Sequence, residues 1–394
     1  MNISTTAPSS DVDLFADDVL EDPYAAYAEL RDLGPGVYLR RYECWALARY
    51  ADVRAALRDH EHFSSQGSVG LEPSLNATRE GTVIASDPPE HDLLRQVLSE
   101  RLAPRALGDA RASITRRAES LVEDLVERRA FDAVTDLARV FPLSVVADLI
   151  GMPLEAREEV LRFADAALNT FGPLNGRTKT SVPIANSLFD TLTSMMTRDS
   201  LSPGGWGESV YAAADRGLIR PEQVIPLLRA YLVASMDTTM NGIGSALWIL
   251  AERPDVWRAL HADPDLVGSA FEEALRLESP VQVFFRRTTS DVDVDGVRIP
   301  GEARVALLFG SANRDPRKWS EPDRFLPERA QLDHIAFGFG IHGCAGQGLA
   351  RIEAKAVLSA LVDRVETMQL AGPPRRHLNN IVRGLASVPV SVVP

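Results

Sequence analysis

Cys344 stands in the stretch Phe337-Gly338-Phe339-Gly340-Ile341-His342-Gly343-Cys344-Ala345-Gly346. Residues 347–364 follow with apolar side chains at helical spacing (Leu349, Ile352, Val357, Leu358 and Leu361), so the sulfur belongs on a tight loop that feeds a helix N-terminus. The free N–H groups and the dipole of a helix start are expected to favour a thiolate over a thiol. Gly338, Gly340 and Gly346 let a flat, bulky partner approach backbone where no Cβ intervenes. An anionic sulfur on such a loop, with His342 two residues earlier, suits a metal macrocycle that carries acidic side arms. A buried Cys in a glycine-rich turn is the plainer reading, and the glycines alone do not choose between the two.

Two further places carry chemistry. The first is Ala234-Ser235-Met236-Asp237-Thr238-Thr239, in the middle of a long apolar run. A buried helix does not carry an Asp and two Thr without partners. Either the threonines bond back to carbonyls one turn earlier, or the acid and the alcohol pass protons. The second is Asp87-Pro88-Pro89-Glu90-His91-Asp92-Leu93-Leu94-Arg95. Its prolines start a helix on which His91 and Arg95, four apart, share a face.

The Cys344 stretch resembles the haem-ligand loop of the cytochrome P-450 family, Phe-Gly-x-Gly-x-His/Arg-x-Cys-x-Gly, and matches at every defined position. The resemblance covers nearly the whole chain. Residues 234–239 are similar to the family's Ala/Gly-Gly-x-Asp/Glu-Thr-Thr/Ser, with Ser235 where Gly is usual. Glu273 and Arg276 supply its Glu-x-x-Arg, completed by Arg329 after Phe325-Leu326-Pro327-Glu328. The resemblance implies a mainly α fold, a helical bundle around haem b with a small β-sheet region, forming one domain over residues 1–394. It implies Cys344 as the axial ligand of the haem iron, and His91, Arg95, Arg286 and His342 as contacts to the propionates. Asp237 and Thr238 become a proton relay. Glu273, Arg276 and Arg329 become a buried network behind the haem loop.

The elements that must position these residues are legible in outline. Residues 24–33 read as an amphipathic helix ended by Gly34-Pro35-Gly36, followed by short strands at 37–39 and 44–48 and a helix at 52–58. Residues 1–20 read as loose, and the polar stretch 63–86 as one long loop of the kind that tends to be functional. From 103 to 196 the pattern is helical, with breaks at Gly151-Met152-Pro153 and Phe171-Gly172-Pro173. Pro221 and Pro254 bracket a helix of about 30 residues. Residues 291–300 and 303–309 alternate as strands, with a turn at Asp295-Gly296.

Composition sets outer limits. The chain has 394 residues, 45% of them hydrophobic, and a net charge of −13, which speaks against nucleic acid as a partner. No apolar run is long enough to span a membrane, and the first residues are polar and acidic, unlike a signal peptide. Cys44 and Cys344 do not make a disulfide framework, so the cytoplasm is the expected compartment.

The implied activity is monooxygenation: one atom of O2 inserted into a small substrate by hydroxylation or O-demethylation. No dinucleotide-binding glycine motif and no Cys cluster is present, so electrons are expected from a ferredoxin and ferredoxin reductase, with NADH or NADPH as ultimate donor. A peroxide-driven peroxygenase, or a haem protein that only binds or senses, are the alternatives; neither needs the Asp237–Thr238 relay. Phe171-Gly172-Pro173, Arg229 and residues 281–286 are similar to the bacterial subgroup that O-demethylates para-methoxybenzoates. That subgroup binds the benzoate carboxylate with an Arg and with Ser side chains, at positions matching Gln66, Ala230 and Val233 here. Leu168, Phe171, Ala234, Val281, Phe284 and Leu385 remain as pocket walls, which implies a neutral, phenol-like aromatic, with a compact terpenoid as the competitor.

Overall fold

The computed structural model describes residues 7–153, 157–329 and 332–394. The N-terminal part is built of short pieces: β1 (Ser9–Ser10), α1 (Asp17–Glu21), α2 (Tyr24–Leu33), β2 (Val37–Leu39), β3 (Cys44–Leu47), α3 (Tyr50–Arg58) and β4 (Phe63–Ser64). The expectation of a loose start is corrected for residues 7–20. Ser9 and Ser10 pair in parallel with Tyr38 and Leu39, and Leu14 and Phe15 are buried. Residues 1–6 lie outside the described residues.

The stretch 63–86 is not one open loop either. It holds α4 (Pro73–Asn76) and two 3-10 turns at 77–79 and 83–85. The Asn76 side chain accepts from the Gly70 N–H at 2.8 Å and donates to the Gly70 carbonyl at 2.9 Å. Polar residues there close local turns through side-chain-to-backbone bonds, which a hydrophobic pattern does not register.

The helical body follows: α5 (Glu90–Glu100), α6 (Pro104–Arg128), α7 (Val140–Ile150), α8 (Arg157–Asn169), α9 (Gly176–Met195), α10 (Trp206–Asp215) and α11 (Val224–Ala251). A strand interrupts it where helix was expected. Arg129, at φ 59°, turns the chain out of α6 into β5 (Ala130–Asp132), which pairs with the last strand of the chain. A π-helical turn at 133–138 then leads into α7.

α11 is the axis of the fold. A 28-residue helix runs about 42 Å, apolar on most of its surface and largely buried, with an opening at Ala234. It packs on α7 and α8, on α13 (Leu266–Glu278), which follows α12 (Pro254–Ala262), and on the C-terminal strands.

After α13 come β6 (Val283–Thr288), β7 (Val292–Val294), β8 (Val297–Ile299), β9 (Arg304–Leu308) and α14 (Phe309–Ala312). The chain ends with α15 (Gln347–Val362), β10 (Thr367–Leu370), β11 (Arg375–Leu378), β12 (Arg383–Ser387) and β13 (Pro389–Val393). The largest sheet has the order β1-β2-β3-β9-β6-β4, so it joins the N-terminal segment to the stretch after α13. β10-β13-β5 form a second sheet, with β11-β12 and β7-β8 as pairs. The β7-β8 turn falls at Asp295 and Gly296, both at positive φ, as its Asp-Gly pair implies.

Glu273 and Arg276 form a buried pair, with Arg276 Nε donating to Glu273 Oε2 at 2.7 Å and Arg329 Nε to Oε1 at 3.1 Å. Arg276 also donates to the carbonyls of Asn313 and Pro322 at 2.8 and 2.7 Å. The pair ties α13 to the segment that leads into the Cys344 loop.

Candidate active site

The loop before α15 is held by its own backbone. The Cys344 N–H donates to the Phe337 carbonyl at 2.7 Å, and the Gly343 N–H to the Gly340 carbonyl at 3.0 Å. Gly340, at φ 71°, lies against the Leu57 carbonyl with no room for a Cβ, so only glycine serves there. The Gly346 and Gln347 amides and the charges of Arg95 and Arg351 all act on the Cys344 sulfur in the direction of a thiolate. Burial outweighs them and pushes the Cys344 thiol up, contrary to the expectation that a helix start alone would ionise it. A metal cation at the sulfur reverses that balance, because a coordinated thiol gives up its proton. Cys44 differs: it is buried in β3, its thiol pushed up to about 12 by burial, and no comparable set of donors surrounds it.

Four nitrogen donors converge beside this loop. The rings of His91, from α5, and His342 stand edge to face, with centroids 4.6 Å apart. His91 Nδ1 meets Asp92 Oδ1 at 3.0 Å, but Nε2 of His91 and Nε2 of His342 are both buried with no partner among the described residues. Burial, with the charges of Arg286, His91 and Arg95, drives His342 down to about 2, so it is a neutral imidazole at working pH. Arg286, on β6, is buried, donates to the Phe285 carbonyl at 2.8 Å, and is lowered to about 10 by burial. Arg95 Nη2 donates to the Gly343 carbonyl at 2.6 Å. Buried donors without acceptors cost free energy unless a ligand supplies acceptors. Two anionic side arms above a sulfur ligand meet that need, so the residues fit a haem carrying propionates.

β6 and α11 bring the other predicted residues together. Alternation along β6 puts Phe284 and Arg286 on one face. Phe284 meets Phe171 edge to face, with centroids 5.6 Å apart. Leu168, Phe171, Val233, Val281 and Phe284 belong to one apolar cluster. Ala230 and Leu385 pack with the cluster around α11 and α15, to which Val233 also belongs. Ala234 is exposed, and shares a helix face with Ala230 and Thr238 at four-residue spacing. Gln66 is exposed and lines a cavity of about 710 Å³ with Glu80, Ala85, Glu90, Arg220 and Arg287.

Asp237 is 3% exposed and its Oδ2 has no partner among the described residues. Burial pushes its carboxyl up to about 7, helped by Asp165 and opposed by His377 and Arg139. Thr238 is one residue on, hence on a different face, and its Oγ1 donates to the Ala234 carbonyl at 2.6 Å. Ser235 Oγ donates to the Tyr231 carbonyl, within a helix that is α throughout.

Arg79 and Glu353 escaped the sequence reading. The Arg79 guanidinium lies 3.9 Å above the Phe171 ring, with only the Leu75 carbonyl and Thr170 Oγ1 as acceptors. Burial alone lowers it to about 10. Glu353, in α15, is fully buried with both oxygens unbonded and its pKa pushed well above the usual range by burial. Neither lies in a motif; only packing distinguishes them from surface charges.

The family model described as Cytochrome P450 matches residues 221–388. The chain is 40% identical to Cytochrome p450 CYP199A2 of Rhodopseudomonas palustris, over 98% of this chain and 95% of that protein. The chain belongs to the cytochrome P450 family. It is also 31% identical to a Vitamin D(3) 25-hydroxylase of Pseudonocardia autotrophica, covering 99% of this chain and 98% of the relative. Among solved structures, Cytochrome P450 CYP109Q5 from Chondromyces apiculatus superposes with a TM-score of 0.83 at 30% identity, covering 97% of this chain and 98% of that one. As a cytochrome P450 the chain is a haem b monooxygenase that uses O2 and redox partners. Among the described residues no helix is long and apolar enough to cross a membrane.

Proposed function

We propose that this cytochrome P450 oxidises a small, neutral, phenol-like aromatic at a methoxy or alkyl carbon, with electrons from a ferredoxin and its reductase. The observation that carries the aromatic reading is the packing of Phe171 against Phe284, with Leu168 and Val281 in the same cluster. Haem b, held through Cys344 and by His91, Arg95, Arg286 and His342, supplies reductive activation of O2 when bound. The chain's own part is to exclude water, orient the ring and manage protons. Apolar walls do the first two. Asp237 holds a proton at Oδ2 on the buried side of α11, and Thr238 Oγ1 stands on the more open side. That pair supports turnover with O2 over a peroxide-driven or sensing role.

Ala230 and Val233 offer no hydrogen bond to a carboxylate. One observation favours a second reading, an aromatic acid: Arg79 is a buried cation against Phe171 whose hydrogen-bond acceptors are both neutral. Spin-state titration of the ferric protein decides between them. A guaiacol-like phenol is expected to shift the spin state at concentrations at least about tenfold below 4-methoxybenzoate, the difference that about 1.4 kcal/mol of carboxylate desolvation produces. Tight binding of 4-methoxybenzoate with none of the phenol transfers the assignment to the acid.

For the electron donor, the candidate basic patch is Arg95, Arg101, Arg105 and Arg351, from the segment after His91 and the helix after Cys344. Arg95 turns inward to Gly343, and Arg351 is engaged with Glu272 at 2.7 and 3.0 Å. Of the four, Arg105 is exposed, in the first turn of α6. Leu107, in the same turn, packs on Gly348 at the start of α15, which supports Arg105 as a contact on the Cys344 side. Arg105→Glu is expected to slow reduction by an acidic ferredoxin about tenfold at low ionic strength, with the difference shrinking as salt rises. An unchanged rate at low ionic strength removes this docking face.

A further inference from the structure

We propose that the Asp165–His377 ion pair is the proton inlet for Asp237, with His377 passing protons from solvent to the buried carboxyl. The inference rests on the reading of Asp237 as a proton-handling group.

The geometry places the pair over Asp237 from two elements. His377, on β11, meets Asp165 Oδ1, on α8, through Nε2 at 2.6 Å. Asn379 Nδ2 donates to the same Oδ1 at 2.9 Å and to the Asp165 carbonyl at 3.2 Å, which fixes the carboxylate. Opposite His377 across the β11-β12 pair is Gly384. Gly384 lies so close to the Asn241 side chain that no Cβ fits between them. Asn241 is one helical turn beyond Asp237, on the same face of α11. α8, which carries Asp165, packs along α11 as well. The pair reaches water, with side chains 41% and 38% exposed, whereas Asp237 is 3% exposed. These contacts place the partly exposed pair next to the turn of α11 that carries Asp237 and Asn241.

The charges that act on Asp237 are Asp165 from α8, His377 from β11 and Arg139 from the residue before α7. His377 is raised by its bond to Asp165, and Asp165 is held down by His377 and Asn379, so the pair is ionised near neutrality. Once Asp237 has given up its proton, the His377 imidazolium donates one to the carboxylate and is reprotonated from water. Asp165 stays ionised and holds the ring. His377 acts through Asp237 and is a positioning residue, not a catalytic one.

The test uses the full-length ferric protein with His377→Gln and the double variant Asp165→Asn/His377→Gln, both of which keep hydrogen-bonding groups at the pair. Infrared titration follows the Asp237 carboxylic acid C=O stretch, identified by its loss in Asp237→Asn. In His377→Gln the Asp165 charge is left unopposed, so Asp237 is expected to titrate at higher pH than in the parent. In the double variant the titration falls back. Mere loss of packing would admit water and move it the other way, which overturns the proposal. Turnover is expected to drop about tenfold in both variants, with reducing equivalents lost to hydrogen peroxide. If Asp237→Asn uncouples the enzyme but His377→Gln changes neither titration nor coupling, the inlet lies elsewhere and the relay stands. If Asp237→Asn itself stays coupled, the relay reading fails and this inference fails with it.

Discussion

Asp237→Asn is expected to lower turnover about a hundredfold while substrate still binds, the loss usual when a positioned proton donor is removed. Binding survives because Asp237 is buried, beside α8 and the β11-β12 pair, and its carboxyl is not open to a bound substrate. The defect is thus expected in kcat with little change in the spin-state titration. Thr238→Ala acts on the neighbouring, more open face of the helix. It is expected to consume NADH at a rate near the parent's but to release hydrogen peroxide in place of product. The Asn variant also carries a pH signature. The Asp237 carboxyl sits at about 7 in the folded chain, above its ordinary value, so between those two values the unfolded chain releases a proton that the folded chain keeps. Stability of the parent therefore falls as pH rises through that window, by at most ~1.4 kcal/mol per pH unit, and levels off above it. Asp237→Asn removes this term, so its Tm relative to the parent is expected to rise from pH 5 towards pH 8. Parallel Tm curves together with normal coupling would show that Asp237 is neither a buried acid nor part of a relay.

What the residue pattern revealed was the part held by short-range rules. The Cys344 loop, the α11 run between Pro221 and Pro254, and the Asp295-Gly296 hairpin follow from glycine placement, proline placement and periodicity, and the structure has them. The Glu273–Arg276–Arg329 network was also expected, and its burial matches. Elements that depend on distant partners were missed. β5 was read as helix because only its pairing with β13, more than two hundred residues away, makes it a strand. Ser9 and Ser10 were read as loose for the same reason. The Cys344 thiol was misjudged through local logic alone, since a helix start is visible in the pattern but desolvation is not. His377 and Asp165 lie in no motif and are joined only by the packing of a C-terminal strand on α8. Arg79 carried no signal within a polar stretch, and its stacking on Phe171 emerges only from the fold.

The central claim is that Cys344, on its glycine-rich loop, holds the haem iron as a thiolate. The sulfur is buried, and the Gly346 and Gln347 amides, with Arg95 and Arg351, offset part of the cost of charging it. Those groups favour a thiolate under a metal and do nothing for a neutral oxygen ligand. Cys44 cannot stand in, because it is buried in β3 with its thiol pushed up to about 12. The reduced carbon monoxide spectrum of the parent and of Cys344→Ser, each loaded with haem, is the most direct measurement. The parent is expected to show the long-wavelength Soret band of a thiolate-ligated haem. Cys344→Ser is expected to lose that band entirely and to have no measurable turnover. A thiolate-type band that persists in Cys344→Ser, or a parent without one, would contradict the assignment.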